Sequence, residues 1–468
     1  MSRFFENIIP RSHIMRRSME IYGQHVEYEL AAEDMIIDGK DGGAAFAFFC
    51  WSYIRRDVPD SISRPVLFAF NGGPTASSTW LHLGFYGPRI LRLQPDGMPP
   101  SAPPYELRDN PDCLLDICDL VLIDPVNTGF SRLLDEKYAG EFTGDHQDAH
   151  SVSLFIRAWL QKHGRAASPK FFSGESFGST RASLLAWYLK DLQPVCGIVH
   201  IGPGYSSDSE ALRTFKDLPP AAATHWYYND APDKGSLSDF LAECYDFMYG
   251  EYVSAMYRGT QLPQEERAKI AAKLEYFTGL SAQYYLEHGL LVSRADFRNM
   301  RLAGKGLKLG SYDSRFTLPL SEDADPFAAA YDPPMAGCRE AYFAEIGLDM
   351  PRRYRAGSYE DDPDWSWFYS ASPGIVGMGD YGISMAGAAA GAFKANPNMR
   401  FFFGTGVYDT VATIENTRYS VTHTDIPISC VVLKEYESGH AVYADDASRA
   451  LLAKDVRAFI TDTLKQNL

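Results

Sequence analysis

The sequence has no stretch of 18 apolar residues, so nothing in it reads as a membrane-spanning helix. It has no excess of positive charge. Lys and Arg number 44 against 60 Asp and Glu, a formal net charge of −16, which argues against nucleic acid or an anionic membrane as the main partner. Cysteine is scarce and unpatterned: Cys50, Cys113, Cys118, Cys196, Cys244, Cys338 and Cys430 include no C-x-x-C pair. The Cys113 to Cys118 spacing suits no common metal site, and the odd count with apolar neighbours reads as reduced, buried thiols. No metal or cofactor is expected. There is no N-x-S/T acceptor, and Met1 to Pro10 lack the basic region, apolar run and small-residue cleavage site of a secretory signal, so a cytoplasmic location is expected. Repeats and low-complexity tracts are missing as well. What remains is an ordinary globular composition, 46% hydrophobic and 22% charged, over 468 residues, enough for a core plus an insertion.

One stretch is dense in chemistry. Lys170-Phe171-Phe172-Ser173-Gly174-Glu175-Ser176-Phe177-Gly178 runs from apolar, β-prone residues into a G-x-S-x-G turn, and Ser179 to Trp187 continue with helical spacing. Strand, tight turn and helix in that order form the nucleophile elbow of an α/β-hydrolase. A serine that attacks a carbonyl must stand clear of the sheet on a strained turn. Gly174 and Gly178 remove side chains that would collide with the neighbouring strand and helix. The helix N-terminus behind Ser176 offers N–H groups to a developing negative charge. The pentapeptide alone is a weak motif, because chance produces it often. Its partners decide.

An elbow of this kind needs an acid and then a histidine later in the chain. Of eleven histidines, His440 lies in Tyr436-Glu437-Ser438-Gly439-His440-Ala441-Val442-Tyr443, between the apolar run Ile428 to Leu433 and an amphipathic segment from Ala447 to Leu464. That is the loop between the last strand and the last helix, where this fold carries its general base. Asp409 ends Arg400-Phe401-Phe402-Phe403-Gly404-Thr405-Gly406-Val407-Tyr408-Asp409, a strand followed by a glycine-containing turn. Its carboxylate would hold the imidazole tautomer while Ser176 is deprotonated. Asp425, in His423-Thr424-Asp425-Ile426-Pro427, reads instead as a solvated turn residue. An oxyanion hole needs the N–H of Phe177 and a second from a loop after an earlier strand. Pro65 to Phe70 is a buried-strand run, and Asn71-Gly72-Gly73-Pro74 follows at once, which offers Gly73.

The chain here resembles the serine carboxypeptidases. Phe70-Asn71-Gly72-Gly73-Pro74 with Ser77-Ser78 and Gly87-Pro88 is similar to their oxyanion loop, and Val121 to Ser131 to their D-x-P-x-G-T-G-F-S block. Gly174 to Gly178 resembles their elbow, and Gly406 to Asp409 and Ser438 to His440 their acid and histidine blocks. Asp217 to Thr224 and Tyr312-Asp313-Ser314-Arg315-Phe316 look like bacterial members, so the resemblance spans nearly the whole chain. It implies that Asn71, Gly72 and Glu175 bind the substrate, with Asn71 and Glu175 on its terminal carboxylate. A Glu in that role must be protonated, since two like charges in contact oppose ionisation. Family members often pair it with a second carboxyl, and Phe85 stands at that place. The resemblance then implies that Glu175 loses its proton at lower pH, so that peptidase efficiency falls from mildly acidic to neutral solution. Thr75 and Asn127 replace residues free to adopt positive φ with ones that carry a Cβ, and Phe177 replaces a tyrosine. Altered specificity is expected from these changes rather than lost catalysis.

The pattern predicts a mostly parallel central sheet with helices on both faces and an inserted, mainly helical cap. Residues 1–204 would form the first part of the core, 205–375 the cap and 376–468 the rest. Opening strands are expected over Met19 to Ala31 and Gly43 to Tyr53. Further strands are expected at Val66 to Phe70, Leu120 to Ile123 and Gly197 to Ile201. Helices are expected over Ala149 to His163, Leu237 to Tyr252, Gln264 to Phe277 and Gly382 to Asn396. Connections such as Tyr331-Asp332-Pro333-Pro334 should interrupt the cap helices. Aromatic clusters at Trp226-Tyr227-Tyr228 and Trp365-Ser366-Trp367-Phe368-Tyr369 are candidates for lining a cleft, and His82 and Arg89 for touching substrate. The expected function is release of C-terminal residues from peptides through a Ser176 acyl-enzyme. The alternative is an acyltransferase or tailoring hydrolase acting on a small acyl substrate in specialised metabolism. A silent binding protein on the same fold would have no reason to keep all these positions together.

Overall fold

Short runs of β-branched and aromatic residues, buried on both sides, build the centre of the molecule. The computed structural model describes residues 8–59, 62–203, 210–229, 234–291, 293–357, 365 and 385–467. β1 (Ser12–Ile21) and β2 (Gln24–Asp38) form a hairpin across Tyr22 and Gly23, at φ 48° and 76°. The single strand expected over Met19 to Ala31 is thus two strands. Two consecutive positive φ values make the tight turn whose twist matches its flanking strands, and a lone glycine in an alternating pattern does not announce it. β3 (Ala44–Arg55), β4 (Val66–Phe70), β5 (Asp119–Asp124) and, after helix α1 (Asp145–Lys162), β6 (Lys170–Glu175) follow. Helix α2 (Phe177–Tyr188) then leads to β7 (Val195–Ile201).

Between β7 and β8 the described chain is mainly helical. It includes α3 (Glu210–Tyr228), α4 (Leu237–Phe247), α5 (Gln264–Thr278), α6 (Pro326–Ile346) and α7 (Met385–Ala395). The expected boundaries at 204/205 and 375/376 lie outside the described residues. β8 (Arg400–Gly406), β9 (Val431–Tyr436) and α8 (Asp446–Asn467) complete the chain. The sheet order is β1-β2-β3-β5-β4-β6-β7-β8-β9, with Arg132–Leu133 as a short tenth strand on β3. From β5 to β9 every neighbour is parallel, and β1 to β3 form an antiparallel edge.

Side-chain alternation sends each strand into two cores. Leu67, Leu120, Leu122 and Phe171 face one side, against α8 and α6. Val66, Phe68, Val121, Ile123 and Phe172 face the other, against α1, α2 and α7. That is the α/β-hydrolase arrangement, a large mostly parallel sheet with helices on both faces, and it puts the C-terminal ends of β4, β6, β8 and β9 along one rim. All seven cysteines are free and buried, and among the described residues no helix is long and apolar enough to cross a membrane.

Two proline pairs lie inside helices, the first of them where a break was expected. Pro333 and Pro334 lie inside α6, and Pro219 and Pro220 inside α3. An interior proline costs about 3 kcal/mol, yet α6 buries Phe327, Tyr331, Pro334, Met335, Cys338, Tyr342 and Ile346. Burial worth about 1.5–3 kcal/mol for each large side chain outweighs that cost. In α3 the Thr224 hydroxyl donates to the Pro220 carbonyl at 2.6 Å.

The start of β5 is held by buried charge. Asp119 is fully buried and accepts hydrogen bonds from the Arg55 N–H (3.0 Å), Arg64 Nε (3.2 Å) and Arg165 Nη1 (2.5 Å), joining β3, the lead into β4 and the α1–β6 loop. Removing one partner of such a group leaves the others buried and uncompensated. Asp119→Ala should therefore lower stability by about 3–5 kcal/mol in urea unfolding; a loss below 1 kcal/mol would show that these arginines reach water instead.

Candidate active site

Glycines allow two loops to touch at the C-terminal ends of β4 and β6. Ser176 follows β6 at φ 55° and ψ −125° and opens α2, a backbone state that a residue with a Cβ holds only under constraint. Its N–H donates to the Ile201 carbonyl at the end of β7 (3.0 Å). A Cβ on Gly174 would fall on the Gly178 carbonyl, and one on Gly178 would lie 2.8 Å from the Phe70 oxygen. One on Gly72 would lie 2.5 Å from the Phe177 nitrogen and 2.6 Å from the Glu175 oxygen. The Asn71–Pro74 loop therefore rests on the elbow backbone, with Gly72 against the Phe177 nitrogen at the start of α2. Gly73 has φ 106°.

The histidine and the acid meet on the same rim. His440 Nδ1 is 2.7 Å from Asp409 Oδ2, and both side chains are buried. Asp409 Oδ1 accepts from the N–H groups of Val411 (2.7 Å) and Ala412 (2.9 Å), which fixes the carboxylate. His440 Nε2 is buried and has no hydrogen-bond partner among the described residues. Contacts of a serine with such a nitrogen often tighten only when substrate is bound. Burial works against the imidazolium, but the charge of Asp409, its hydrogen bond and the charge of Glu175 outweigh it and raise the His440 pKa above its usual value. Asp425 lies on the surface, 3.4 Å from Lys394.

Ser176, His440, Glu175, Asn71, Gly72 and Gly73 all line one cleft of about 510 Å³. Its far wall is a stripe of α6, Ala328, Asp332, Met335, Ala336 and Arg339, at helical spacing. Glu175 is 6% exposed. Its Oε2 accepts from Asn71 Nδ2 at 2.9 Å and from the Tyr443 hydroxyl. Burial pushes its pKa up to about 7, against the charge of His440 and the two donors, with Asp409 adding to the rise. Burial, without a second carboxyl beside it, raises this group, because a dry site disfavours the charged form. Phe85 does not meet Glu175 directly; its ring stacks on Tyr443 at 5.6 Å.

Several site residues carry no recognisable motif. Buried Arg181 pairs with Asp148 at 2.5 Å and donates to the Asn71 carbonyl at 2.7 Å, so α1 and α2 together clamp the Asn71–Pro74 loop. Asp124 accepts from the Ser78 N–H (2.9 Å) and the Tyr354 hydroxyl (3.1 Å), and burial raises its pKa to about 6 despite those donors. The 311–315 segment staples the Asp409 and His440 loops. Thr410 N–H donates to the Ser311 carbonyl (3.1 Å) and His440 N–H to the Tyr312 carbonyl (2.6 Å), while Arg315 joins Asp313 (2.7 Å) to the Glu437 carbonyl (3.0 Å). Thr75 and Asn127 keep positive φ, 68° and 62°, despite their Cβ atoms.

Other candidates lie elsewhere. His82 is buried, 2.6 Å from the Tyr53 hydroxyl and packed on Trp51. Arg89 pairs with Asp109 and Glu345. Neither lines the cleft, although Thr79 and Trp80 do: His82 is buried in the core and Arg89 is held by its two carboxylates. Tyr227 packs on Tyr408 outside the cleft. Trp365 packs edge-on against Phe177 at 5.7 Å and donates to Asp145 at 3.0 Å; Ser366 to Tyr369 lie outside the described residues.

Residues 40–191 match the family model of the serine carboxypeptidases. That stretch, about a third of the chain, includes the Asn71–Pro74 loop, Asp124 and the elbow. Among curated proteins, none is similar enough in sequence to match. Of solved structures, Kex1Δp, a prohormone-processing carboxypeptidase from Saccharomyces cerevisiae, is similar over 96% of this chain and 91% of its own, with a TM-score of 0.51 and 13% identity. The peroxisomal α/β-hydrolase Lpx1 of the same yeast (TM-score 0.40, 11% identity, 99% and 90% covered) and a proline iminopeptidase of Mycobacterium smegmatis (0.38, 11%, 92% and 98%) are more distant. The family match and the fold support a hydrolase of the peptidase or esterase type.

Because the elbow has no room for a methyl group at Gly174, Gly174→Ala should abolish labelling of Ser176 by a fluorophosphonate probe. It should also lower stability by roughly 1–3 kcal/mol, as overpacked cores do. Labelling at the parental rate would mean that the loop can yield.

Proposed function

We propose that the chain is a serine carboxypeptidase that releases C-terminal residues from peptides through an acyl-enzyme on Ser176. The observation that carries this reading is the company Ser176 keeps. On one side is the His440–Asp409 pair; on the other, a buried carboxyl whose pKa of about 7 allows it to be protonated in neutral solution. Ser176 Oγ attacks the last peptide carbonyl while His440 Nε2 takes its proton, and Asp409 stabilises the imidazolium through Nδ1. The N–H groups of Gly73 and Phe177 receive the oxyanion. His440 then protonates the leaving amine, and water repeats the sequence on the ester. Asn71 and protonated Glu175 hold the substrate's terminal carboxylate, which sets the scissile bond one residue from the end. Gly72 lets that loop lie flat against the elbow.

The acyl-transfer alternative gains nothing from the substituted loops. Thr75 and Asn127 hold the positive φ that a glycine would supply, so the loop paths give that reading no added weight.

Two measurements test the proposal. Ser176→Ala and Asp409→Asn should lower kcat on N-blocked dipeptides by about 10⁴-fold or more, and turnover retained by Ser176→Ala would remove it as the nucleophile. Equal efficiency on dipeptide acids and their C-terminal amides would remove Asn71 and Glu175 from carboxylate recognition.

The pH dependence follows from the same groups. His440 must be neutral, which requires pH above its raised pKa, and Glu175 must be protonated, which requires pH below about 7. Since each charge shifts the other, the apparent values belong to the pair. For dipeptide acids, kcat/KM should give a narrow bell whose descending limb lies near pH 7. Ester substrates without a free carboxylate should only rise. Superimposable profiles for the two classes would contradict the assignment of Glu175.

A further inference from the structure

Glu175 has two oxygens, and the structure treats them differently. Oε2 accepts from Asn71 Nδ2 and from the Tyr443 hydroxyl. Oε1 makes no hydrogen bond among the described residues, although Glu175 lines the cleft. Asn71 cannot turn its amide to accept a proton there, because its Oδ1 already accepts the Leu81 N–H at 2.9 Å. Tyr443 is held as firmly. Its ring stacks on Phe85 at 5.6 Å and 12°, and occupies space that a Cβ on Gly84 would enter, 2.6 Å from the ring. Its hydroxyl has no other acceptor among the described residues. Turning that hydroxyl to accept a proton from Oε2 would leave its own hydrogen buried and unmatched, a substantial cost.

We propose that Tyr443 is a positioning residue that keeps the acidic proton of Glu175 on Oε1, the oxygen left open to the cleft, and so makes the site select substrates with a free terminal carboxylate. This rests on the carboxypeptidase reading above. A carboxyl whose Oε2 is already filled by two donors presents one O–H in one direction, which is what a substrate carboxylate needs to accept. Burial, followed by the charge of Glu175, raises the Tyr443 pKa well above its usual value, so the hydroxyl stays a donor throughout the working range. The other groups whose charge reaches this carboxyl are His440 and Asp409, with Tyr86 and Tyr312 beside them. Sequence reasoning passed over Tyr443 because a tyrosine three residues after a candidate base has no motif of its own.

Tyr443→Phe keeps the ring and its stacking, so the variant should fold. Its kcat/KM on an N-blocked dipeptide and on the matching methyl ester should be followed across pH. The KM for the acid should rise by roughly 3- to 10-fold, as expected for one lost hydrogen bond, and the acid-to-ester ratio should fall with it. The descending limb for the acid should move to higher pH, because a donor to the ionised carboxyl has gone. Equal falls on acid and ester, or an unmoved limb with an unchanged KM, would overturn the proposal. A second readout does not depend on turnover. The protonated-carboxyl infrared band of Glu175, assigned by difference with Glu175→Gln, should shift in frequency and titrate higher in Tyr443→Phe. An unshifted band would also overturn the proposal. Failure of the parental enzyme to cleave any dipeptide acid would instead overturn the carboxypeptidase reading, and the band would still decide whether Tyr443 places the proton.

Discussion

The contact between two backbones at the ends of β4 and β6 governs the rest of the site. Gly72 lies where any Cβ would press on the Phe177 nitrogen, and Gly174 and Gly178 clear the ground below it. Because the loops touch, Asn71 reaches Glu175, Gly72 sits against Phe177, and Ser176 is left on a positive-φ turn with no room to relax. Parallel pairing of β6 with β4 and β7 fixes that turn at the sheet's rim. Strain of about 1–3 kcal/mol at such a residue persists only when its surroundings over-determine it. Here they do, through backbone atoms rather than side chains.

Around this contact the protein buries several charged pairs. Arg181 and Asp148 tie the two helices behind the elbow to the Asn71 carbonyl, and Arg315 and Asp313 tie the acid loop to the histidine loop. Buried pairs of this kind add little net stability. Their effect is geometric, since each holds a loop whose own residues could not. Glu175 is the exception. Burial has the largest influence on its proton, and Asn71 and Tyr443 both donate to one of its two oxygens.

Much of the architecture was legible in the chain, and for a physical reason. Buried parallel strands are short apolar runs bounded by turns, so Val66–Phe70, Asp119–Asp124 and Arg400–Gly406 stand out. The elbow is equally visible, because only glycine tolerates its close approaches. Where the reading missed, tertiary packing overrode a local rule. Pro333 and Pro334 continue α6, since the core buried by that helix outweighs the lost N–H groups. The Tyr22–Gly23 turn divides an expected strand, because a hairpin needs only two residues at positive φ. His82 and Arg89 are adjacent to the oxyanion loop in sequence but turn away from the cleft.

The sequence by itself determined the order of the parts: the strand and turn that present Ser176, the glycine loop ahead of it, and an aspartate and a histidine after the later strands. These are local matters of backbone freedom and side-chain period. Only the tertiary structure decided that Asp409 and His440 stand 2.7 Å apart. It also decided that α6 walls the cleft, and that Tyr443 rather than a second carboxyl meets Glu175. The proton affinity of Glu175 belongs with these, because it is set by how much water the folded chain removes from the carboxyl. No local pattern of residues encodes that quantity.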